Sequence, residues 1–348
     1  MARILITGGA GFIGTRLARA LLARGSLGGQ LIDSLVLADQ VAPAADLAAD
    51  RRVQARIGPL LEQCAGLGSD PFDGVFHLAS AVSGECEADF DLGLRSNLDS
   101  TRSLLDALRA AVAAGARPSR LVFSSSVAVF GPDPSSPLPV LVGDTTLPAP
   151  KTSYGTHKLV CEHLIADYSR KGFVDGRSAR LMTVAVRPGR PNGAASSFFS
   201  GIIREPLAGQ EALCPVAPET SHPLTSPART VEGLIAIYEA DIAALGGRLA
   251  LNLPAVNVRV ADMLGALEAV AGPAVRARVR FVRDPVIAGI VANWPTGATA
   301  ERAARLGLAP DPDFASIVRQ YIADCRADPG GAAALAGLAP DNRADPAA

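Results

Sequence analysis

The sequence lacks a net charge, and this lack excludes one class of partner. Its 33 basic and 34 acidic side chains nearly cancel over 348 residues. Binding to a nucleic-acid backbone is mainly electrostatic and needs an excess of positive charge or a concentrated basic run. The sequence has neither, so we expect no nucleic-acid partner. The length leaves room for two modest domains or one large α/β domain, at about 150 residues per domain.

Cysteine, histidine and long apolar runs are also scarce. The five cysteines include no CxxC pair and their number is odd, which argues against a disulfide framework and a zinc site. The four histidines lack the spacing of metal ligands, so we expect no metal. No segment approaches the ~20 apolar residues of a membrane span, and the apolar run at 4–7 is too short for a signal peptide. We therefore expect a cytoplasmic protein with no membrane contact.

The first half of the sequence alternates short β-branched runs with Ala- and Leu-rich stretches. This alternation is typical of βα units that build a parallel sheet. The run at 74–79 is apolar throughout, as expected for a strand that helices cover on both faces. The predicted strands are 3–7, 34–39, 53–57, 74–79, 120–125 and 180–187, and the predicted helices are 12–24, 89–114 and 152–170. We predict an α/β fold with a doubly wound parallel sheet, a Rossmann fold.

Beyond residue 187, prolines divide the chain into short pieces, which is typical of loops and a small irregular subdomain. Later elements are predicted at 248–253 (strand), 259–271 (helix), 276–282 (strand) and 312–325 (helix). We predict a dinucleotide-binding domain over 1–187, to which the strand at 248–253 returns. A discontinuous, mostly substrate-binding subdomain is predicted over 188–326. Residues 327–348 are rich in Ala, Gly, Pro and Asp and are predicted to be disordered.

A GxxGxxG pattern follows the first predicted strand and begins the first helix. Its glycines are Gly8, Gly11 and Gly14. Glycines at this turn let the backbone approach a pyrophosphate, which then lies on the unpaired N–H groups of the helix N-terminus. The same pattern also fits a plain strand-to-helix turn. The dinucleotide interpretation places Phe12 and Ile13, the first helical residues, at the cofactor as well.

Asp39 ends the second predicted strand and favours the dinucleotide interpretation. A carboxylate there can accept both ribose hydroxyls of NAD, and its charge repels the 2′-phosphate of NADP. The alternative role for Asp39 is a cap on the following loop. We predict NAD as the cofactor.

Tyr154 and Lys158 are four residues apart on a predicted helix, so their side chains share one face. With 4 tyrosines in 348 residues and lysines only at 151, 158 and 171, a chance Tyr-x-x-x-Lys is expected about 0.03 times. A neighbouring ammonium favours the phenolate form of tyrosine, which can then accept a proton. The alternative is a solvated pair on the helix surface.

Three serines, Ser124, Ser125 and Ser126, close a predicted strand at its carboxyl end. Ligands of open α/β sheets bind at this end of the strands. A serine hydroxyl can both donate a hydrogen bond to a substrate oxygen and accept one from it. The alternative is that one or two of the three cap the strand backbone.

Four ordered motifs resemble the extended short-chain dehydrogenases/reductases. They are TGGAGFIG at 7–14, SSSVAVFG at 124–131, YGTHK at 154–158 and the Arg-Pro pair at 187–188. The resemblance covers the chain to about residue 325. It implies a homodimer, with Tyr154 as general base, Lys158 as its activator and nicotinamide-ribose anchor, and Ser126 as the group that polarises the reacting oxygen. The further cofactor contacts that it implies are Leu78, Ala79, Ser80, Asn97 and Pro188.

Less universal segments of the sequence bear on the substrate. The segments at 83–91, 187–193 and 226–230 are most similar to dehydrogenases of four-carbon sugar acids. The resemblance implies NAD-dependent oxidation of the C2 hydroxyl of such an acid. The alternatives are an NDP-sugar 4-epimerase or reductase of the same superfamily, and a non-catalytic NAD-binding sensor.

The sequence departs from the family at two places that matter for ligands. The family often carries an adenine-contacting Asp after the glycine that ends the third strand, where this chain has Pro59 after Gly58. The segment at 221–226, SHPLTS, replaces the Arg-Asp-Phe-like segment of nucleotide-sugar enzymes. The second departure argues against a nucleotide-sugar substrate.

A sugar acid carries a carboxylate, and arginine offers the bidentate fork that pairs with it. Four arginines fall in the predicted substrate half, at 187, 190, 204 and 229. We favour Arg229, with a surface ion pair as the alternative role. The other predicted polar contacts to substrate are Ser83, Ser125 and Asn192.

Overall fold

The computed structural model describes residues 1–68, 71–189 and 194–339. The strands are β1 Ala2–Thr7, β2 Ser26–Leu27, β3 Gln30–Asp39, β4 Val53–Ile57, β5 Gly74–His77, β6 Arg120–Ser126, β7 Asp175–Leu181, β8 Thr183–Val184, β9 Ala212–Cys214, β10 Ser221–Thr225, β11 Leu251–Asn252, β12 Val256–Arg259 and β13 Val279–Phe281.

The helices of the described residues are α1 Phe12–Arg24, α2 Ala45–Ala48, α3 Leu60–Gln63, α4 Ser83–Ala88, α5 Phe90–Gly93, α6 Ser100–Ala113, α7 Ser153–Arg170, α8 Ser197–Leu207, α9 Pro227–Glu239, α10 Val260–Ala271, α11 Pro273–Arg276, α12 Pro285–Val291, α13 Glu301–Arg305 and α14 Phe314–Ala327. Short 3₁₀ helices lie at Cys64–Gly66, Val127–Val129 and Gly331–Leu335, and a π-helical segment at Leu94–Asp99 joins α5 to α6.

The main sheet has the strand order β11-β7-β6-β5-β1-β3, and β4 and the short β2 both pair with β3. All of its pairs are parallel except β2 with β3. One face packs on α1 and α9 through Leu17, Leu21 and Leu234. The other face packs on α6 and α7 through Leu104 and Ile165. The predicted doubly wound α/β sheet is confirmed, because a parallel sheet needs helices on both faces.

The sixth long strand lies earlier than the predicted 180–187. It is β7, Asp175–Leu181, and the next two-residue strand β8 belongs to a second sheet with β10 and β12. β7 carries the buried arginines Arg177 and Arg180, which pair with Asp175 and with Glu162. Because these buried positions hold paired charges rather than apolar side chains, the segment lacks the apolar pattern of a buried strand.

The proline-rich region after residue 187 is more regular than predicted. It contains α8, β10 and the 13-residue α9. Its prolines lie where regular structure tolerates them: Pro227 is at the start of α9, behind the Ser226 cap, and Pro206 is in the last turn of α8. A separate hydrophobic cluster, built mainly from α8, α10 and α14, forms the core of this region.

The predicted disordered tail is wrong for the described residues 327–339. α14 runs to Ala327, a 3₁₀ turn follows at Gly331–Leu335, and both Leu335 and Leu338 are buried in the cluster of α8, α10 and α14. Gly331 allows this return, because a Cβ there would lie 1.9 Å from the carbonyl oxygen of Cys325. Residues 340–348 lie outside the described residues. Within the described ranges, no helix combines the length and apolar character needed to cross a bilayer.

Candidate active site

A cavity of about 1350 Å³ opens at the carboxyl ends of β1, β3, β5 and β6. Fourteen of the residues predicted from the sequence line it: Gly8, Gly11, Phe12, Ile13, Gly14, Asp39, Leu78, Ala79, Ser80, Ser83, Ser125, Ser126, Tyr154 and Lys158. Its far wall comes from the region after β7, including Thr183, Arg187 and His222. The fold therefore brings the predicted cofactor and catalytic residues into one cavity.

The turn after β1 packs closely against neighbouring backbone because it contains three glycines, Gly8, Gly11 and Gly14, which we call the glycine cradle. Gly8 has a φ of +71°, and a Cβ there would lie 2.8 Å from the backbone nitrogen of Ala79. A Cβ on Gly14 would lie only 2.0 Å from the Gly8 carbonyl oxygen. Side chains are therefore excluded from this turn, and the backbone itself forms the cavity floor.

The N-terminus of α1 opens onto this floor. Gly11 is the residue before the helix, and among the described residues no side chain caps it. The first helical residues, Phe12, Ile13 and Gly14, line the cavity. Their N–H groups have no earlier turn of helix to bond to, so they form a site for an anionic group such as a pyrophosphate.

Asp39 stands at the end of β3 with both carboxylate oxygens held by backbone. Oδ2 accepts from the N–H of Ala10 at 3.0 Å, and Oδ1 accepts from the N–H of Gln40 at 2.7 Å. The carboxylate is thus fixed against the glycine cradle while still lining the cavity. Pro59 and Leu60 lie near the same strand ends, where the family often carries an acid, so the lining is apolar at that point.

His77 orders the turn after β5 through a chain of hydrogen bonds. Thr101 donates to the carbonyl of Asn97 at 2.6 Å, so its oxygen must accept from His77 Nε2, 2.8 Å away. His77 Nδ1 then accepts from Thr7 Oγ1 at 2.7 Å, and Thr7 Oγ1 accepts from the N–H of Ala79 at 3.3 Å. Burial, with the charge of Lys158, lowers the pKa of His77 to about 3, so the ring stays neutral. His77 is therefore a structural residue.

Asn97 supports the cofactor side of the cavity from behind. It lies in the π-helical segment, is buried, and is not part of the cavity lining. Its Oδ1 accepts from the N–H of Ala81 at 2.7 Å and from the hydroxyl of Ser80 at 3.0 Å. Asn97 therefore fixes the backbone after Ser80 and does not face the cavity itself.

Tyr154 and Lys158 share one face of α7, as their spacing predicts. The Lys158 Nζ lies 5.5 Å from the centre of the Tyr154 ring and donates to the Ser124 carbonyl at 2.7 Å. Lys158 is buried, whereas the Tyr154 hydroxyl has no partner among the described residues and faces the cavity. The ammonium is thus held beside the phenol by the end of β6.

Gly155 brings α7 against the segment that follows β6. A Cβ on Gly155 would lie 2.1 Å from the carbonyl oxygen of Ala128. The helix begins after Thr152, whose hydroxyl accepts from the Gly155 N–H at 3.0 Å. This contact holds the start of α7, which carries Tyr154, against the segment that follows Ser126, and both residues line the cavity.

The serines at the end of β6 have different partners. The Ser125 hydroxyl donates to Oε1 of the buried Glu162, which also forms a bidentate ion pair with Arg180 at 2.9 and 2.7 Å. Ser126 Oγ only accepts, from the Ala128 N–H at 3.2 Å. The hydroxyl hydrogen of Ser126 is therefore available to a ligand in the cavity, whereas that of Ser125 is already donated to Glu162. Ser124 donates to the carbonyl of His77.

Three predicted residues, Asn97, Arg229 and Pro188, do not line the cavity, and one falls outside the described residues. Arg229 is on the surface in an ion pair with Glu232 at 2.6 Å, one helical turn away, so the prediction that it binds the substrate carboxylate is wrong. Pro188 is exposed and is not part of the cavity lining. Asn192 lies outside the described residues.

The far wall also contains His222 and Arg187, which the sequence did not favour as ligand contacts. The neutral ring of His222 donates from Nδ1 to the carbonyl of Pro295 at 3.0 Å, so Nε2 must accept from the Thr183 hydroxyl at 2.8 Å. Burial lowers the pKa of His222 to about 4. Arg187 projects into the same wall. Only Arg187 carried a sequence signal, its place in the Arg-Pro motif.

The residues present fit NAD. The glycine cradle leaves no room for side chains, and the N-terminus of α1 opens beside it, as a pyrophosphate requires. The fixed carboxylate of Asp39 at the end of β3 matches the ribose hydroxyls of a dinucleotide. The described residues contain no cluster of three or more His, Cys, Asp or Glu able to hold a metal. All five cysteines are buried thiols, and burial raises the pKa of Cys64 to about 11.

Comparison with known proteins gives consistent matches. Residues 4–220 match the model of the NAD dependent epimerase/dehydratase family. The chain is 48% identical over 327 residues to D-erythronate dehydrogenase of Cupriavidus necator, covering 92% of this chain and 98% of that protein. It is 41% identical to D-erythronate dehydrogenase of Haemophilus influenzae, with the same coverage. A crystal structure named nucleoside-diphosphate-sugar epimerase from Agrobacterium tumefaciens matches with a TM-score of 0.88 and 41% identity, covering 93% of this chain and 94% of that one.

Proposed function

Because the chain belongs to the NAD dependent epimerase/dehydratase family, we propose that it is an NAD-dependent dehydrogenase that oxidises the C2 hydroxyl of D-erythronate to 2-dehydro-D-erythronate. One observation carries the dehydrogenase reaction: Tyr154, with Lys158 beside it, and Ser126 line the same cavity as the glycine cradle. The substrate follows from the two relatives named D-erythronate dehydrogenase, which match over almost their full length.

The cofactor residues supply binding and selectivity. The N–H groups at the start of α1 bind the pyrophosphate, and Asp39 accepts the ribose hydroxyls. Lys158 anchors the nicotinamide ribose. When bound, NAD accepts the hydride that leaves C2. Asn97, behind the site, keeps the Ser80 turn in place.

The reacting hydroxyl is held between two groups of the chain. Ser126 donates its free hydrogen to the substrate oxygen and stabilises negative charge on it. Tyr154 takes the hydroxyl proton, and the ammonium of Lys158 stabilises the phenolate that does so. C2 loses a hydride and its oxygen loses a proton, so the product is the C2 ketone.

A second candidate function is an NDP-sugar epimerase, which the printed name of the Agrobacterium structure favours. In this chain the segment 221–226 forms β10, and its His222 is buried between Phe199 and Trp294. Burial lowers the pKa of His222 to about 4, so the ring is neutral and position 222 itself offers no cation to a diphosphate. A non-catalytic sensor would have no use for the combination of Ser126, Tyr154 and Lys158.

The test follows NADH formation by absorbance with the four stereoisomers of the four-carbon aldonic acids. Because an epimerase forms no net NADH, turnover of two UDP-hexoses is followed by the appearance of the epimer in NMR spectra. We expect turnover of D-erythronate, and transfer of deuterium to NADH from substrate labelled at C2 but not at C3. Turnover of a UDP-hexose with every acid inert would reject the proposal. Transfer from C3 would keep the dehydrogenase and reject the position of attack.

We also propose a cytoplasmic homodimer. The resemblance implies pairing through helices, and Phe90 on α5 and Val160 on α7 are apolar and exposed, at 61% and 38%. The buried free thiols suit a reducing compartment. Light scattering should give twice the 35.7 kDa chain mass, and the Phe90→Glu variant should lower it. A monomeric wild-type protein at micromolar concentration would reject the dimer.

A further inference from the structure

Arg187 is a guanidinium with no acidic partner among the described residues. It lines the cavity, half-buried, directly after β8. Its Nε donates to the Val184 carbonyl at 3.1 Å, and its backbone N–H donates to Ser200 Oγ at 3.0 Å. The side chain is therefore oriented from behind, and its two terminal nitrogens remain available to a ligand.

The charge of Arg187 is uncompensated by the protein that surrounds it. Burial lowers the pKa of Arg187, and the positive charge of Arg204 lowers it further. Arg204 itself pairs with Glu205 at 2.6 Å and donates to the Arg187 carbonyl. A cation removed from water is costly unless it is paired. This part of the wall is therefore prepared for an anion.

The position of Arg187 matches the geometry of a 2-hydroxy acid. The carboxylate carbon of such an acid is bonded directly to C2, so its partner must lie beside the residues that hold the reacting hydroxyl. Arg187 is close enough to Tyr154 for their charges to interact, and both line one cavity. Arg229, in contrast, pairs with Glu232 and does not line the cavity.

The other cations of the cavity lining are less suited. Lys158 is bonded to the Ser124 carbonyl, and Lys151 pairs with Asp133 at 3.3 Å. Arg95 is exposed, on the π-helical segment that carries Asn97, at the cofactor side. Of the cavity cations that the structure describes, only Arg187 combines partial burial, a fixed Nε and a place on the substrate wall.

We propose that Arg187 binds the substrate carboxylate through its two terminal nitrogens and so makes the enzyme selective for 2-hydroxy acids over neutral polyols. This inference rests on the proposed function for the identity of the acid. A fork of two parallel N–H bonds fits a carboxylate and fixes the C2 hydroxyl toward Ser126 and Tyr154.

The test compares Arg187→Gln, Arg187→Lys and, as a matched control, Arg229→Gln. For D-erythronate we expect Arg187→Gln to lower kcat/KM about 100-fold, mainly through KM, and Arg187→Lys to restore part of it. Arg229→Gln should leave both constants unchanged. NADH affinity, measured by fluorescence, should be the same in all four proteins. The neutral amide, D-erythronamide, should be a poor substrate of the wild type and should lose little in Arg187→Gln.

Calorimetric binding of D-erythronate to the NADH-loaded proteins separates the two proposals. Wild-type binding without turnover, lost in Arg187→Gln, would reject the dehydrogenase reaction and support the anion site. Turnover with an unchanged KM in Arg187→Gln would reject the anion site alone. If Arg187→Gln does not fold, the wild type alone tests the anion site. Equal kcat/KM values for D-erythronate and D-erythronamide would then reject that site. No binding and no turnover would reject both.

Discussion

Ser125 donates its hydroxyl hydrogen to the buried carboxylate of Glu162, which lies 37 residues further along the chain. This bond gives the adjacent serines different capacities. Ser125 belongs to the buried group that ties β6 to α7 and, through Arg180, to β7. Ser126 is left as the serine with a hydrogen to donate into the cavity.

Replacing each of these serines by alanine should therefore affect different properties. Ser126→Ala should lower kcat about 100-fold with little change in stability, because a hydrogen bond to the developing oxyanion is lost. Ser125→Ala should lower the free energy of unfolding by about 1–3 kcal/mol, because it leaves a buried acceptor short of a donor. Steady-state kinetics and urea unfolding measure the two effects. The reverse pattern would assign the polarising role to Ser125.

Tyr154→Phe should lower kcat about 1000-fold while NADH still binds, because only the proton-accepting oxygen is removed. The matched control is Tyr168→Phe on the same helix, whose hydroxyl donates to Asp106 at 2.7 Å away from the cavity. Single-turnover kinetics and NADH fluorescence give the two readouts. Equal turnover of the two variants would remove Tyr154 from the mechanism.

Asp39→Asn should shift the cofactor preference, measured as the ratio of kcat/KM for NAD to that for NADP, by at least about 10-fold toward NADP. The amide keeps an acceptor oxygen but no longer repels the 2′-phosphate. Asp46→Asn, which removes an exposed partner of Arg19, is the control and should leave the ratio unchanged. An unaltered ratio in Asp39→Asn would show that Asp39 does not contact the ribose.

Acid should destabilise the protein through its buried histidines. The pKa of His222 is lowered from 6.5 in the unfolded chain to about 4 in the folded protein. Between these two pH values, His222 is protonated in the unfolded chain but neutral in the folded protein. Stability is therefore lost as pH falls from about 6.5 to 4, by about 2 kcal/mol between pH 7 and pH 5 from this residue.

Urea unfolding of the wild type and of His222→Gln at both pH values measures this contribution. The variant should be less stable at pH 7 but should lose about 2 kcal/mol less on acidification. His163→Gln, at an exposed position on α7, serves as the comparison and should behave like the wild type. An equal acid loss in His222→Gln would show that this ring is not held neutral.

The sequence by itself determined the local parts of the site. The glycine cradle, Asp39 and the Tyr154–Lys158 pair each depend on a turn, a strand end or a helical spacing, all of which are set within about 30 residues of chain. The alternation of apolar runs and helical stretches also determined the doubly wound sheet. The division at residue 187 remains a prediction.

Only the tertiary structure decided which of several chemically equal side chains faces the cavity. Ser125 and Ser126 have the same chemistry until the fold places Glu162 of α7 beside Ser125. Arg187 and Arg229 likewise have the same chemistry until the fold places Arg187 in the cavity wall and Arg229 outside it. Strand β7 was obscured for the same reason, since its Arg180 is buried by pairing with Glu162 of α7. A polar side chain's role depends on the partners that remain to it, and those partners are brought together by folding rather than by sequence spacing.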